Sequence, residues 1–263
     1  RLGRESRLGT LPVVFLFGET GAAKTSIFVQ SGTEPELLTG QVYQDQAVVQ
    51  TRLGNIWLAQ KTVFIEAGGR LLADPAAWMH LVRRLRPARL RSLFSKRQEA
   101  ARAAMVCVDG ETFLKPGAEE ALSATARNLH ARLGEMARTL GVSFPFYVLF
   151  AKLDRMGYFT EFVGNLTDEE VRHVLGATLP IRAESRQGVY AEEESQLLAQ
   201  AFGDISLCLC DKRLPFLARE NDPAIKPGVY EFPREFRKLR RLIVQFLVDL
   251  GRPRKLQANP YLR

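Results

Sequence analysis

The chain has 263 residues, 46% hydrophobic and 25% charged, which suits one large α/β domain or a smaller domain with an extension. Its formal net charge is +8, and its longest nearly uncharged apolar stretch, residues 141–151, is far shorter than the roughly 20 residues a membrane-spanning helix needs. Cys107, Cys208 and Cys210 sit in apolar stretches without partners at metal-ligand spacing, which argues against a disulfide framework or a zinc site and for a reducing compartment.

In chain order, residues 1–10 are polar and Gly/Arg-rich and read as a loose leader; the start at Arg1, without Met or a signal-peptide pattern, reads as a segment of something longer. Residues 11–17 form a continuous apolar run, the pattern of a strand buried on both faces. It runs directly into residues 18–26 and then a helical segment. Residues 55–59 and 62–67 predict two strands joined as a hairpin around Gln60 and Lys61. Residues 75–97 carry helical spacing, interrupted near Pro87; 104–108 predict a strand, 116–140 a long helix and 144–151 another buried strand.

Strands alternating with helices imply right-handed βαβ units, hence a mostly parallel sheet covered on both faces. After about residue 183 the pattern is helical at 189–217 and 234–250, with a Pro/Asp loop at 221–227 and no further strand signal. The expected organisation is an α/β nucleotide-binding domain over residues 1–183 and an all-helical extension over 184–263. Cys208 and Cys210 could hold a soft metal, but two buried apolar fillers is the better reading.

The positive charge is clustered. Arg83, Arg84, Arg86, Arg89, Arg91, Lys96 and Arg97 form one group, and Arg234, Arg237, Lys238, Arg240 and Arg241 another, followed by Arg252, Arg254 and Lys255. Neither group carries stacking aromatics or a reading motif, so no specific nucleic acid is expected. The clusters fit either an anionic inner leaflet or ordinary solvated helix faces.

The sharpest signal is Gly18-Glu19-Thr20-Gly21-Ala22-Ala23-Lys24-Thr25, which follows the phosphate-binding pattern G-x-x-x-x-G-K-[S/T] except that Ala23 replaces the last glycine. Glycines let such a loop curl so that backbone N–H groups point inward, and the following helix adds its positive end. Backbone groups of Gly18, Gly21, Ala22, Ala23 and Ser26 would cradle phosphate, Lys24 would reach the β- and γ-phosphates, and the Thr25 hydroxyl would bind Mg²⁺. The Ala23 methyl is tolerable if that residue keeps a negative φ, and otherwise crowds the phosphates. The expected cofactor is ATP or GTP with Mg²⁺, held by a P-loop NTPase fold of the GTPase-like kind.

Such a loop predicts further parts at neighbouring strand ends. The strand at 62–67 ends in Glu66-Ala67-Gly68-Gly69, where GTPase-like proteins carry Asp-x-x-Gly. Glu66 would hold the metal shell, directly or through water, and the Gly69 N–H would sense the γ-phosphate; the lesser reading of Glu66 is a strand-end acid at a turn. Arg70 stands where a water-orienting Gln serves Ras-like enzymes, which argues for slow hydrolysis. After the strand at 144–151, Lys152-Leu153-Asp154 fits either a guanine contact, with Asp154 on the base N–H groups and Lys152 over the ring, or a plain polar strand end.

These residues together resemble the cytoplasmic domain of the IcmF/TssM family of type VI secretion systems. The series runs from Leu11-Pro12 before the loop strand, through Thr51-Arg52 and Trp57, to the strand ending at Glu66. It continues through Pro145, Tyr147-Val148, Lys152-Leu153-Asp154 and Gly157-Tyr158-Phe159 to Phe162 and Leu175-Gly176-Ala177-Thr178-Leu179-Pro180. Phe232-Pro233-Arg234-Glu235-Phe236 and Asn259-Pro260-Tyr261-Leu262-Arg263 close it. The family's Asp-Thr-Ala-Gly-Arg is here Glu66-Ala67-Gly68-Gly69-Arg70, so the departures fall on the phosphate–metal machinery. The resemblance also places Thr51 as a switch threonine on Mg²⁺. It implies a domain at the cytoplasmic face of the bacterial inner membrane, meeting other membrane-complex subunits and baseplate components. Two functions follow: a nucleotide-responsive switch, or a scaffold that keeps the fold without hydrolysis.

Overall fold

A computed structural model describes residues 11–40, 43–44, 47–48, 54–85, 100–180, 190–254 and 258–263. By contacts the chain forms two compact units, each discontinuous in sequence: residues 1–109, 128–151 and 253–262 form the first, and residues 110–127, 152–252 and 263 the second.

The first unit is built on a seven-stranded sheet. Strands β1 (Val13–Gly18), β2 (Glu36–Thr39), β5 (Gly54–Ala59), β6 (Thr62–Ala67), β7 (Arg102–Asp109), β8 (Pro145–Ala151) and β9 (Tyr261–Leu262) take the order β2-β5-β6-β1-β7-β8-β9. The pairs β6–β1, β1–β7, β7–β8 and β8–β9 are parallel, while β2–β5 and β5–β6 are antiparallel. Two-residue strands β3 (Tyr43–Gln44) and β4 (Ala47–Val48) pair separately. The mixed α/β class and the mostly parallel sheet flanked by helices therefore follow the expectation.

Strand β1 is apolar throughout because both its faces are covered. Phe15 and Phe17 meet Trp78 of the helix Pro75–Arg84, with ring centroids 6.2 and 5.8 Å away. On the opposite pleat Leu16 joins Ala22, Phe28, Trp57, Ala59 and Cys107 in a buried cluster. The helix Pro75–Arg84 starts where Asp74 accepts from the N–H groups of Ala76 and Ala77, with Pro75 pre-set in its first turn. The expected continuation to residue 97 lies outside the described residues. The expected hairpin is present: Gln60 and Lys61 both take positive φ, 47° and 66°, the mirror-image turn whose twist suits two antiparallel strands.

The second unit is helical. Phe162 meets Phe216 and Phe232 at 4.8 Å, and Phe202 stacks on Phe236 at 4.8 Å, joining the helices Phe159–Val163, Tyr190–Asp211, Arg213–Arg219 and Lys226–Lys238. Two corrections arise here. Lys226–Lys238 is helical from inside the expected loop, because Pro227 sits in the first turn, where a missing N–H is harmless. Cys208 is exposed and Cys210 only half-buried, so they are not both core fillers; Cys107 is buried as expected. A third correction concerns the end of the chain, where β9 pairs in parallel with β8 through Pro145↔Tyr261 and Phe146↔Leu262. Two residues are too short a run to announce a strand by periodicity.

Candidate functional site

Strand β1 ends at Gly18 against β7. A Cβ on Gly18 would lie 2.0 Å from the Cys107 carbonyl oxygen, so side chains are excluded at that position. The loop then curls: Gly21 has φ +83°, the Ala22 N–H donates to the Glu19 carbonyl at 3.3 Å, and Ala23 opens the helix Lys24–Val29 with φ 52° and ψ 22°. Ala23 is thus left-handed. The negative φ that would make its methyl harmless is not what the chain adopts, because the loop must reverse its curl just before the helix.

Lys24 is 7% exposed and folds back over the loop, its Nζ donating to the carbonyls of Gly18 at 3.0 Å and Glu19 at 2.7 Å. Burial lowers its pKa, and the nearby Glu66 and Glu19 carboxylates oppose the shift. The neighbouring Cys107 thiol is pushed up to about 12, again by burial first, so it is a neutral thiol at physiological pH.

Thr25 Oγ1 donates to Glu66 Oε1 at 2.5 Å. Glu66, at the end of β6, is fully buried, and its Oε2 accepts from Asn55 Nδ2 at 2.9 Å and Trp57 Nε1 at 3.3 Å. Gly69 begins the short helix Gly69–Ala73 beside the loop, where an added Cβ would meet Thr20 Oγ1 at 1.9 Å. Ser26 is half-buried on the first turn and its carbonyl accepts from Gln30 at 3.0 Å.

The structure therefore gathers Gly18, Gly21, Ala22, Ala23, Lys24, Thr25, Ser26, Glu66 and Gly69 within the first unit. Lys152 and Asp154 belong to the second unit: Lys152 is left-handed at φ 57°, and Asp154 is exposed with Arg155 Nε 3.7 Å from its carboxylate. Thr51 lies outside the described residues. Among the described residues no cluster of three or more His, Cys, Asp or Glu side chains is placed to hold a metal.

Asn55 and Trp57 are the functional candidates that sequence reading did not assign to the site. Their signal lies in the hairpin: counting out from a two-residue turn at Gln60–Lys61, Ala59 faces Thr62 and Asn55 faces Glu66.

The comparisons with known proteins give the family of the chain. The model of the IcmF-related N-terminal domain matches residues 72–263, and the chain belongs to that family. The type VI secretion system component TssM1 of Pseudomonas aeruginosa is 29% identical over 99% of this chain and 23% of its own length. The chain thus spans about a quarter of that relative. A chain of the signal recognition particle receptor SRb-GTP/SRX complex from Chaetomium thermophilum is similar at 20% identity over 55% of this chain and 71% of its own, with a TM-score of 0.32. Among the described residues no helix is long and apolar enough to cross a membrane.

Proposed function

We propose that residues 18–26 bind the phosphates of ATP or GTP with Mg²⁺, and that this domain is a nucleotide-responsive switch in a type VI secretion membrane complex, at the cytoplasmic face of the inner membrane. The observation that carries the reading is the joint placement of Lys24 and Thr25, just after β1, with Glu66 at the end of the adjoining β6. The donor set suits the group. Lys24 is the cation of the loop, and its two partners are neutral carbonyls that phosphate oxygens would replace. Thr25 donates its O–H to Glu66 in a hydrogen bond, so its oxygen lone pairs suit a hard cation.

In this reading the curl from Gly18 to Ala23 presents backbone N–H groups to phosphate, and Lys24 neutralises the β- and γ-phosphates. Thr25 and Thr51 hold Mg²⁺, and Gly69 senses the γ-phosphate. Bound Mg²⁺ would draw charge from the phosphates; hydrolysis by water would be slow, since Arg70 is exposed and no acceptor replaces the water-orienting Gln at that position. Nucleotide would engage Thr51 and Gly69 and so alter contacts with other membrane-complex subunits and baseplate components.

Two observations favour a second reading, a scaffold with a weak pocket. Ala23 carries a methyl in the left-handed region, and Glu66 is sealed by three donors. The two separate in a secreting strain carrying Lys24→Ala. The switch requires secretion to fall with nucleotide binding; wild-type secretion from that strain leaves the scaffold.

A further inference from the structure

The Glu66 side chain occupies a position with unusual constraints. Its residue is 0% exposed, and its neighbours Asn55 and Trp57 are 1% and 3% exposed. All three lie on the β5–β6 hairpin, Asn55 directly opposite Glu66 and Trp57 two residues further along the same pleat. The two carboxyl oxygens are divided: Oε2 takes the amide of Asn55 and the indole of Trp57, while Oε1 takes the hydroxyl of Thr25.

Moving Oε2 out of this shell would strand two buried N–H groups, each worth roughly 1–3 kcal/mol of desolvation when left unmade. The carboxyl is therefore a fixed acceptor. A threonine hydroxyl that binds a cation must also point its proton away from that cation, and a fixed acceptor at 2.5 Å defines where the proton goes. Trp57 is fixed in turn by Phe28, whose ring packs edge-on 5.4 Å away on the helix that carries Thr25.

We propose that Asn55 and Trp57 are positioning residues of the phosphate–metal site, acting through Glu66 to aim the Thr25 hydroxyl at Mg²⁺. The inference rests on the reading of residues 18–26 as a nucleotide site. It makes Glu66 an outer partner of the metal rather than a direct ligand, and it couples Mg²⁺ affinity to the register of the hairpin. Outer partners of this kind orient the group that does bind.

The test is calorimetric titration of the 263-residue chain with ATP and with GTP, each in excess Mg²⁺ and in EDTA, for wild type, Trp57→Phe and Asn55→Ala. Trp57→Phe keeps an aromatic ring against Phe28 and deletes the N–H, so it decides the matter even if Asn55→Ala does not fold. The expected result is an EDTA affinity within about twofold of wild type, with a loss of about tenfold or more in the tightening that Mg²⁺ brings. A merely structural role would lower the melting temperature and leave that tightening intact, which would overturn the proposal. So would equal losses with and without Mg²⁺, or a wild-type affinity indifferent to Mg²⁺, although the phosphate site would then stand. A wild-type chain that binds neither nucleotide in either buffer removes the site itself, and this inference with it.

Discussion

Thr25 and Glu66, 41 residues apart in sequence, are joined by a buried hydrogen bond of 2.5 Å between the loop helix and the end of β6. That bond ties the loop of residues 18–23 to the hairpin strand, and Asn55 and Trp57 donate to the other oxygen of the same carboxyl. Glu66→Leu removes an acceptor from three buried donors at once. The expected cost is about 3–5 kcal/mol, in the range reserved for broken buried networks, and denaturant unfolding measures it. A loss below about 1 kcal/mol would mean that the donors find other partners.

Lys24 carries a second consequence of burial. Its folded pKa lies below its ordinary value of 10.5 because desolvation disfavours the ammonium. Between the folded and unfolded values the unfolded chain binds the extra proton, so this group makes stability rise with pH in that alkaline window. Below the folded pKa the full penalty is present. Lys24→Met deletes the charge while keeping length, so it should abolish nucleotide binding without lowering the melting temperature at pH 7. A protein that melts lower than wild type would show that the two carbonyl bonds outweigh desolvation.

Ala23 at φ 52° suggests a simple repair. A left-handed non-glycine residue costs roughly 1–2 kcal/mol, and glycine returns part of that gain, roughly 0.5–1 kcal/mol, as unfolded-state freedom. Ala23→Gly should therefore raise the melting temperature by about 1–3 °C and tighten nucleotide binding. Unchanged affinity would show that the methyl does not reach the phosphates.

Two glycines of the loop should respond differently to alanine. At Gly18 the new Cβ would sit 2.0 Å from a β7 carbonyl oxygen, and two strands would have to move, costing about 3 kcal/mol or more. At Gly21 nothing lies within 4 Å, so the cost of Gly21→Ala is conformational, about 1–2 kcal/mol at φ +83°. Comparable losses at both positions would contradict this distinction.

Much of the first unit was legible because its elements are long and apolar on a clear period. Strand β1 shows as an unbroken run since Trp78 covers one face and Phe28 and Trp57 the other. The family was legible from motifs spread along the chain. The sealed Glu66 was less so: its donors follow from hairpin register, which needs the turn at Gln60–Lys61 placed to the residue. The sign of φ at Ala23 was not readable, since alanine by itself argues for a negative value. Cys208 misled because an apolar helical stretch does not reveal which of its faces is covered. Strand β9 escaped because its pairing with β8 is a tertiary choice made by two residues.

Nucleotide binding at residues 18–26 is read from the thermal shift of the chain with ATP and with GTP, with and without Mg²⁺, beside Lys24→Ala. A ligand at a hundredfold excess over its dissociation constant adds about 2.7 kcal/mol to the folded state, well above the resolution of a melt. The account predicts a shift that needs Mg²⁺ and vanishes in Lys24→Ala. No shift with either nucleotide at millimolar concentration would contradict it and leave the domain as scaffold.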